Sequence, residues 1–379
     1  MERYPLVGIA SRLRHVDEKY REISSRISDL FCPLGLFFDV PAVEEAAILV
    51  MTGGTEEIVE KIGGSWPLLL IYHDSENSLP AAIEAASSLR KKGRIVWLAH
   101  WSSPEIPVIL SAIKAMKRIR GFRLGIIGDP SPWLTYSRSS DEDLRIIGIH
   151  PVRISIEALI NEYKKVEMPR DSKDGVENAK RMREAINKLI AREKLDGITI
   201  RCFDLLPMGV TACLALSELN SAGIVAGCEG DVPAFLAMLF GYLLSEKPTF
   251  MGNISGIDEK EVVLAHCTFP LSIAKRYKFM THFESGIGVG VAAEVEKNVK
   301  VTLIRISDDL KRIRIMKGVT DEVKWRDDLC RTQIKVRMEG DPSIMIKKPM
   351  GNHYVISFAD ISRELCYLAD ALGMECEIA

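Results

Sequence analysis

The segment GIVAGCEGDVPAFLAML, residues 223–239, passes from an apolar run into a helix-like pattern and places two carboxylates, Glu229 and Asp231, at the junction. A carboxylate at such a turn can cap the helix, hold a metal ion or abstract a proton. Two histidines further along end β-like runs, His266 in VLAHCTFP and His282 in KFMTHFESG, and a third, His353, follows a Gly-Asn turn in PMGNHYVISF. Imidazole combined with carboxylate suits divalent manganese, iron, cobalt or zinc. A single histidine is more often structural than a ligand. Spacing alone does not bring His266 and His353 to Glu229.

Four loops that follow strand-like runs carry unusual polar content: TGGTEE (52–57), HDSENSLP (73–80), HWSSPE (100–105) and GDPSPWL (128–134). Loops at the carboxyl ends of parallel strands are where ligands bind, because helix N-termini and free backbone amides converge there. Thr55, Ser78 and Ser103 are helix-capping types and account for part of this content. His73, His100 and Trp101 exceed what caps require, and they are predicted to line a cleft and face substrate. No GxGxxG opens a βα unit; GIGVGVA (286–292) precedes a β-rich run and is rejected as a dinucleotide loop. GxxxxGK[ST] and GxSxG are also absent.

The elements that must hold these residues follow from periodicity. YPLVGIA, LGLFFDV, AAILVM, PLLLIY and RIVWLA read as strands, with amphipathic helices between them such as DEKYREISSRISDLF, TEEIVEKI and SLPAAIEAASSLRKK. A second βα series has strands near 122–128, 149–154, 197–201 and 224–228 and long helices at about 155–165 and 174–195. After Pro248 short β runs follow closely: EVVLAHC, YKFMTHF, VGVAAEV, KVTLIRI, RIRIMKG and TQIKVRM. The predicted fold is therefore α/β: two doubly wound parallel-sheet domains, then an antiparallel β-barrel-like domain with a terminal helix. The expected boundaries are 1–119, 120–247 with Glu229, and 248–379 with His266 and His353.

Composition narrows the classes. The 379 residues are 47% hydrophobic and 27% charged with a net charge of −2, a globular profile that gives no electrostatic case for nucleic acid or a membrane surface. The N-terminus lacks the apolar core of a signal peptide, and no apolar run approaches about 18 residues, so a cytoplasmic protein is expected. The eight cysteines form no CxxC pair, which argues against a zinc ribbon or a disulfide framework. Gln333 is the only glutamine while Lys, Arg, Glu and Ile abound, a bias consistent with a heat-adapted (thermophile) source.

GCEGDVPAFLAMLFGYLL, then TFMGN, VVLAHCTFPLSIA and finally GNHYVISFADISRELCYLADALGMECEI resemble, in order, the active-site segments of L-arabinose isomerase; L-fucose isomerase shows a related E-x-D segment. The resemblance covers roughly residues 220–379 at motif level; the first 220 residues match in architecture. It implies that Glu229 is a metal ligand and acid/base residue, that His266 and His353 are imidazole ligands, and that His282 faces substrate. Asp231 has the family's E-x-D spacing, and with Pro233 following it is read as the helix cap. The implied cofactor is Mn²⁺ or another divalent cation, the partner a small-molecule sugar, and the assembly a homo-trimer or homo-hexamer. The implied chemistry moves a proton between C1 and C2 through a cis-enediol, with the cation stabilising the enediolate charge.

One position departs from the pattern. The family's second acidic ligand is expected at Gly252 or Asn253, and Asn253 offers a carbonyl oxygen without charge or basicity. Asp258, Glu259 and Glu284 are candidates to compensate. The sequence thus predicts a metal-dependent aldose–ketose isomerase, with a non-catalytic sugar-binding protein on the same fold, or a metal-dependent epimerase or lyase, as the rival readings.

Overall fold

The computed structural model describes residues 3–43, 45–62, 67–167 and 175–379. The chain divides into two compact units, Met1–Lys114 and Ala115–Ala379. Residue 174, the expected start of one helix, lies outside the described residues.

The first unit is built on β1 (Tyr4–Ile9), β2 (Phe31–Phe37), β3 (Ala47–Val50), β4 (Leu68–Tyr72) and β5 (Val96–His100), joined through α1 (Asp17–Arg26), α2 (Glu56–Lys61) and α3 (Ser78–Lys91) and followed by α4 (Glu105–Ile119). The strands form one parallel sheet in the order β2-β1-β3-β4-β5. The central strand β3, AILV, is buried at every position, as a parallel strand covered on both faces must be. The unit boundary falls inside α4.

The second unit opens with β6 (Arg123–Ile127), α5 (Asp141–Ile146), β7 (His150–Ile154), α6 (Ile156–Lys165), α7 (Gly175–Glu193), β8 (Gly197–Ile200), α8 (Cys213–Ser221), β9 (Ala226–Cys228) and α9 (Val232–Ser245). Its four strands form a parallel sheet in the order β7-β6-β8-β9. Along α7 the residues Ala179, Met182, Ile186 and Leu189 are buried, the three-and-four spacing of a helix with one apolar face. Helix α9 is apolar nearly all round and buried along almost its whole length. It packs on β8 and β9 and on the strands of the barrel that follows in the same unit, so it is an internal layer rather than a surface helix.

The rest of the second unit comprises β10 (Phe250–Ile257), β11 (Glu261–His266), β12 (Arg276–Met280), β13 (Gly290–Glu294), β14 (Lys300–Ile306), β15 (Arg312–Asp321), β16 (Thr332–Met338), α10 (Ile344–Lys347), β17 (His353–Ser357), α11 (Ser362–Ala371) and β18 (Glu375–Ile378). Six strands run β14-β17-β10-β11-β16-β15, and β15 pairs back with β14, closing an antiparallel barrel. Strand β18 adds to β15 in parallel, and β12 and β13 form a separate ribbon. Phe250, Leu264, Val291, Leu303, Ile334 and Ile356 belong to the barrel core. The two parallel sheets and the terminal barrel are the fold class read from sequence. Cys366 and Cys376 form a disulfide joining α11 to β18, a single bridge where the sequence argued against a framework.

Candidate active site

Strand β9 is followed by two successive left-handed residues, Glu229 (φ 60°) and Gly230 (φ 70°). Gly230 has no alternative here: a Cβ would stand 2.9 Å from Pro130 Cα. Glu229 is a non-glycine residue in a sparsely populated region, a strain that persists where surroundings enforce it. Here the Ser131 amide donates to the Glu229 carbonyl at 2.9 Å and the Gly230 amide donates to Ile200 at 3.1 Å. Asn220 braces the same strand, exchanging hydrogen bonds with both backbone groups of Ala226. Asp231 then caps α9, accepting from the Ala234 amide at 2.8 Å.

The histidines arrive from the barrel. Strand β10 lies between β11 and β17, and Asn253 pairs with Ala265 on one side and His353 on the other. The last residue of β11, His266, and the first of β17, His353, therefore flank it. Their rings meet edge to face with centroids 5.9 Å apart. Glu229, His266 and His353 are all buried, and one ligand-type atom from each lies within 4.8 Å of the others. Two imidazoles and a carboxylate brought this close together are donor types that suit a divalent cation.

The surroundings fix the donors. His353 Nδ1 lies 2.9 Å from Asp231 Oδ2, which places a proton on Nδ1 and turns Nε2 toward Glu229. Nε2 is fully buried, 3.5 Å from Glu229 Oε1, and has no hydrogen-bond partner among the described residues. An orphaned buried nitrogen facing a carboxylate and a second imidazole fits a cation. His266 Nδ1 lies 2.8 Å from Thr268 Oγ1, and Trp133 donates its indole N–H to Glu229 Oε2 at 2.7 Å. The ring of Trp133 meets Phe203, which in turn meets His282.

Charge states follow from these contacts. Burial would raise the Glu229 carboxyl, but His353, His266 and Trp133 outweigh it and hold it below its ordinary value. Burial would likewise raise Asp231, and the Arg305 guanidinium with His353 and the Ala234 amide holds it well below the carboxylate range. Burial and the neighbouring His353 push His266 down to about 3, so it stays neutral and able to ligate. Burial works to lower His353, yet Asp231 and Glu229 raise it to about 9. A cation arriving at Nε2 must displace that proton.

Behind the site, Arg305 of β14 is completely buried. Its guanidinium reaches Asp231 at 3.3 Å, the His353 carbonyl at 3.1 Å and Ser137 Oγ at 2.6 Å. Gly351, at φ 94°, lies against the guanidinium with no room for a Cβ. The sequence offered no signal for Arg305 beyond one charge inside KVTLIRI. Trp133 had a signal in the loop GDPSPWL, without a partner named for it.

In front, Asn253, His282 and Glu284 line the same small cavity as Glu229 and His266. Phe203 and the cysteines Cys202, Cys213, Cys228, Cys267 and Cys330 form its remaining wall. About 20 Å³ is open to a water-sized body there, room for an ion or a water. Asn253 Oδ1 accepts from Asn352 at 2.7 Å. Gly252 is buried in β10.

His73, His100 and Trp101 belong to the first unit. His73 is buried, with Nε2 3.0 Å from the Met51 carbonyl and Nδ1 3.0 Å from Ser75 Oγ, so it ties loop 73–78 to the end of β3. His100 contacts Ser102 Oγ and Asp74, and Trp101 carries the Arg26 guanidinium over its ring. Ser103 Oγ accepts from the Glu105 amide at the start of α4, whereas Ser78 Oγ turns to the Val50 carbonyl. No described helix is long and apolar enough to cross a membrane.

No family model matches the chain. It is 23% identical over 347 residues to the sulfoquinovose isomerase of Clostridium sp. (strain MSTE9), a similarity spanning 80% of this chain and 76% of that protein. The similarity supports a sugar isomerase function, in agreement at that level with the resemblance drawn from residues 220–379.

Proposed function

We propose that the protein is a metal-dependent aldose–ketose isomerase of the fucose/arabinose isomerase type, acting on a small-molecule sugar. The observation that carries this reading is the convergence of Glu229, His266 and His353 on one buried point. The similarity to a sugar isomerase supports the same class. Glu229, His266 and His353 would hold a divalent cation, Mn²⁺ in the first instance, with the Asn253 side chain lining the same cavity. Such an ion would act as a Lewis acid, polarising a substrate carbonyl and offsetting the negative charge that develops on proton loss.

The remaining work belongs to side chains. Glu229, anionic at neutral pH, takes the proton from one of the two exchanging carbons and returns it to the other. Asp231 keeps the His353 ring in one orientation and tautomer. Trp133, Phe203 and His282 form a run of edge-to-face ring contacts beside the carboxylate, of which Phe203 and His282 line the cavity and would meet the apolar face of a sugar. His100 and Trp101 remain candidates for substrate contact, while His73 would have to break two hydrogen bonds to serve. The expected assembly is a homo-trimer or homo-hexamer.

The test is ketose formation from a panel of pentoses, deoxyhexoses and sulfoquinovose, with added Mn²⁺, in the parent and in Glu229→Gln. Turnover in the parent that is lost in the variant supports the isomerase. Asn253 favours one other reading, a sugar-binding protein that has lost the second carboxylate. Sugar binding without turnover on any aldose would decide for that.

A further inference from the structure

An isomerase that passes a proton between two carbons must also move a hydroxyl proton from O2 to O1. The step is balanced within the sugar: one C–H bond breaks and one forms, one O–H bond breaks and one forms, and no oxidant is needed. Two acid/base groups are the direct solution. Glu229 is one, and at the position expected to carry the other β10 offers Asn253, an amide that cannot titrate.

Asp258 and Glu259 are in the turn joining β10 to β11. Asn253 pairs with Ala265 at the other end of the same hairpin, about five residues and so roughly 15 Å away along the strand. Neither residue lines the cavity. Glu284 does, together with Glu229, Asn253, His266 and His282.

Resting on the isomerase reading above, we propose that Glu284 is the second carboxylate of this site, supplied by the loop between β12 and β13. It would carry the hydroxyl proton while Glu229 carries the carbon proton. The loop is a built feature. The His282 amide donates to the Ile287 carbonyl and the Gly286 amide donates to the His282 carbonyl, both at 2.9 Å. His282 Nδ1 meets Ser285 Oγ at 2.9 Å, and the Val289 amide donates to Thr211 Oγ1 at 3.0 Å. Glu284 stands inside this frame with its side chain reaching both solvent and the cavity. Its carboxyl has no hydrogen-bond partner among the described residues, so no structural bond competes for it. Because Glu284 and Glu229 line one cavity, both carboxyls can meet the same substrate from different elements.

The experiment uses the full chain loaded with Mn²⁺ and compares the parent, Glu284→Gln and Glu284→Asp. Steady-state kinetics on the best aldose of the panel are read with Mn²⁺ affinity and the unfolding midpoint. The Gln variant should lose about 10²–10³-fold in kcat, with KM and Mn²⁺ affinity within roughly threefold of the parent. The Asp variant should recover part of the loss, and the Gln variant should lose one limb of the pH–rate profile. A Gln variant with kcat within about threefold of the parent overturns the assignment and leaves the isomerase reading standing. A defect confined to KM overturns it too, leaving only a binding contact. A parent that neither binds Mn²⁺ nor turns over any aldose overturns both.

Discussion

The Asp231 carboxylate caps helix α9 and, 2.9 Å away, holds the Nδ1 side of His353 from a strand 122 residues later. One side chain therefore ends the turn that presents Glu229 and fixes the ring whose Nε2 faces Glu229. The E-x-D spacing has a physical reason. Position 229 points at the chemistry, and position 231, at the helix start, points back into the barrel where Arg305 also reaches it.

Removing the charge at Asp231 should therefore be felt twice. Asp231→Asn leaves Arg305 buried at 0% exposure without its counter-ion, and breaking such a pair costs about 3–5 kcal/mol. Bonds from Arg305 to Ser137 and the His353 carbonyl remain, which places the expected loss near the lower figure. Mn²⁺ affinity should fall roughly 10–100-fold, the usual effect of losing a residue that orients a ligand. Urea unfolding and metal titration read the two effects separately; a stability loss under about 1 kcal/mol would show that the pair contributes no more than a surface one.

In chelator, the same cluster sets a pH dependence. His353 is raised to about 9 in the folded chain, so its contribution is complete below its unfolded value near 6.5 and is lost as pH rises through about 9. His266 is lowered to about 3, so stability falls as pH drops below about 6.5, where only the unfolded chain takes up that proton. Metal-free protein should be most stable close to neutrality. Between about pH 7 and 9 the parent should lose stability that His353→Gln does not. Parallel denaturation curves for the two proteins across that window would refute the origin in His353.

Gly230→Ala tests the turn itself. The added methyl meets backbone at Pro130 from a residue at φ 70°, and neither side can yield cheaply. The expected cost is about 1–3 kcal/mol, with Glu229 displaced and Mn²⁺ affinity reduced. A thermal midpoint equal to the parent's would mean that the turn relaxes freely.

Much of this arrangement was legible before any coordinates. The apolar runs of β1, β3, β4 and β5 and the periodicity of α7 declare themselves locally, because burial on a parallel sheet or one helix face imprints a pattern. The two barrel strands that matter most do not. FMGNISGI, which becomes β10, holds two glycines and an asparagine, poor strand formers by propensity. It is a strand because β11 and β17 flank it, and β17 lies about a hundred residues away in sequence. The metal-type triad was readable only through its resemblance to a known motif order. Arg305 was hidden because a buried arginine looks like any strand charge until its partners are known. The polarity of His73 serves loop hydrogen bonds, a local use that a sequence does not distinguish from a ligand contact.

The last prediction turns on Glu229 and Asn253. Glu229→Gln keeps the shape of the side chain and can still accept from Trp133, but it removes the charge and the base. Turnover should vanish, and Mn²⁺ affinity should fall, because two neutral imidazoles and an amide replace a charged set. Asn253→Asp does the reverse: at neutral pH it adds a carboxylate to the cavity that Glu229, His266 and Glu284 already line. Mn²⁺ should bind more tightly, and turnover on a simple aldose should hold or rise. Metal affinity alone does not separate an isomerase from a sugar-binding protein, since either gains from a new charge. Ketose formation does. Activity in the parent that survives Glu229→Gln would remove the one base on which the mechanism rests. Sugar binding without turnover in both the parent and Asn253→Asp would assign the site to recognition instead.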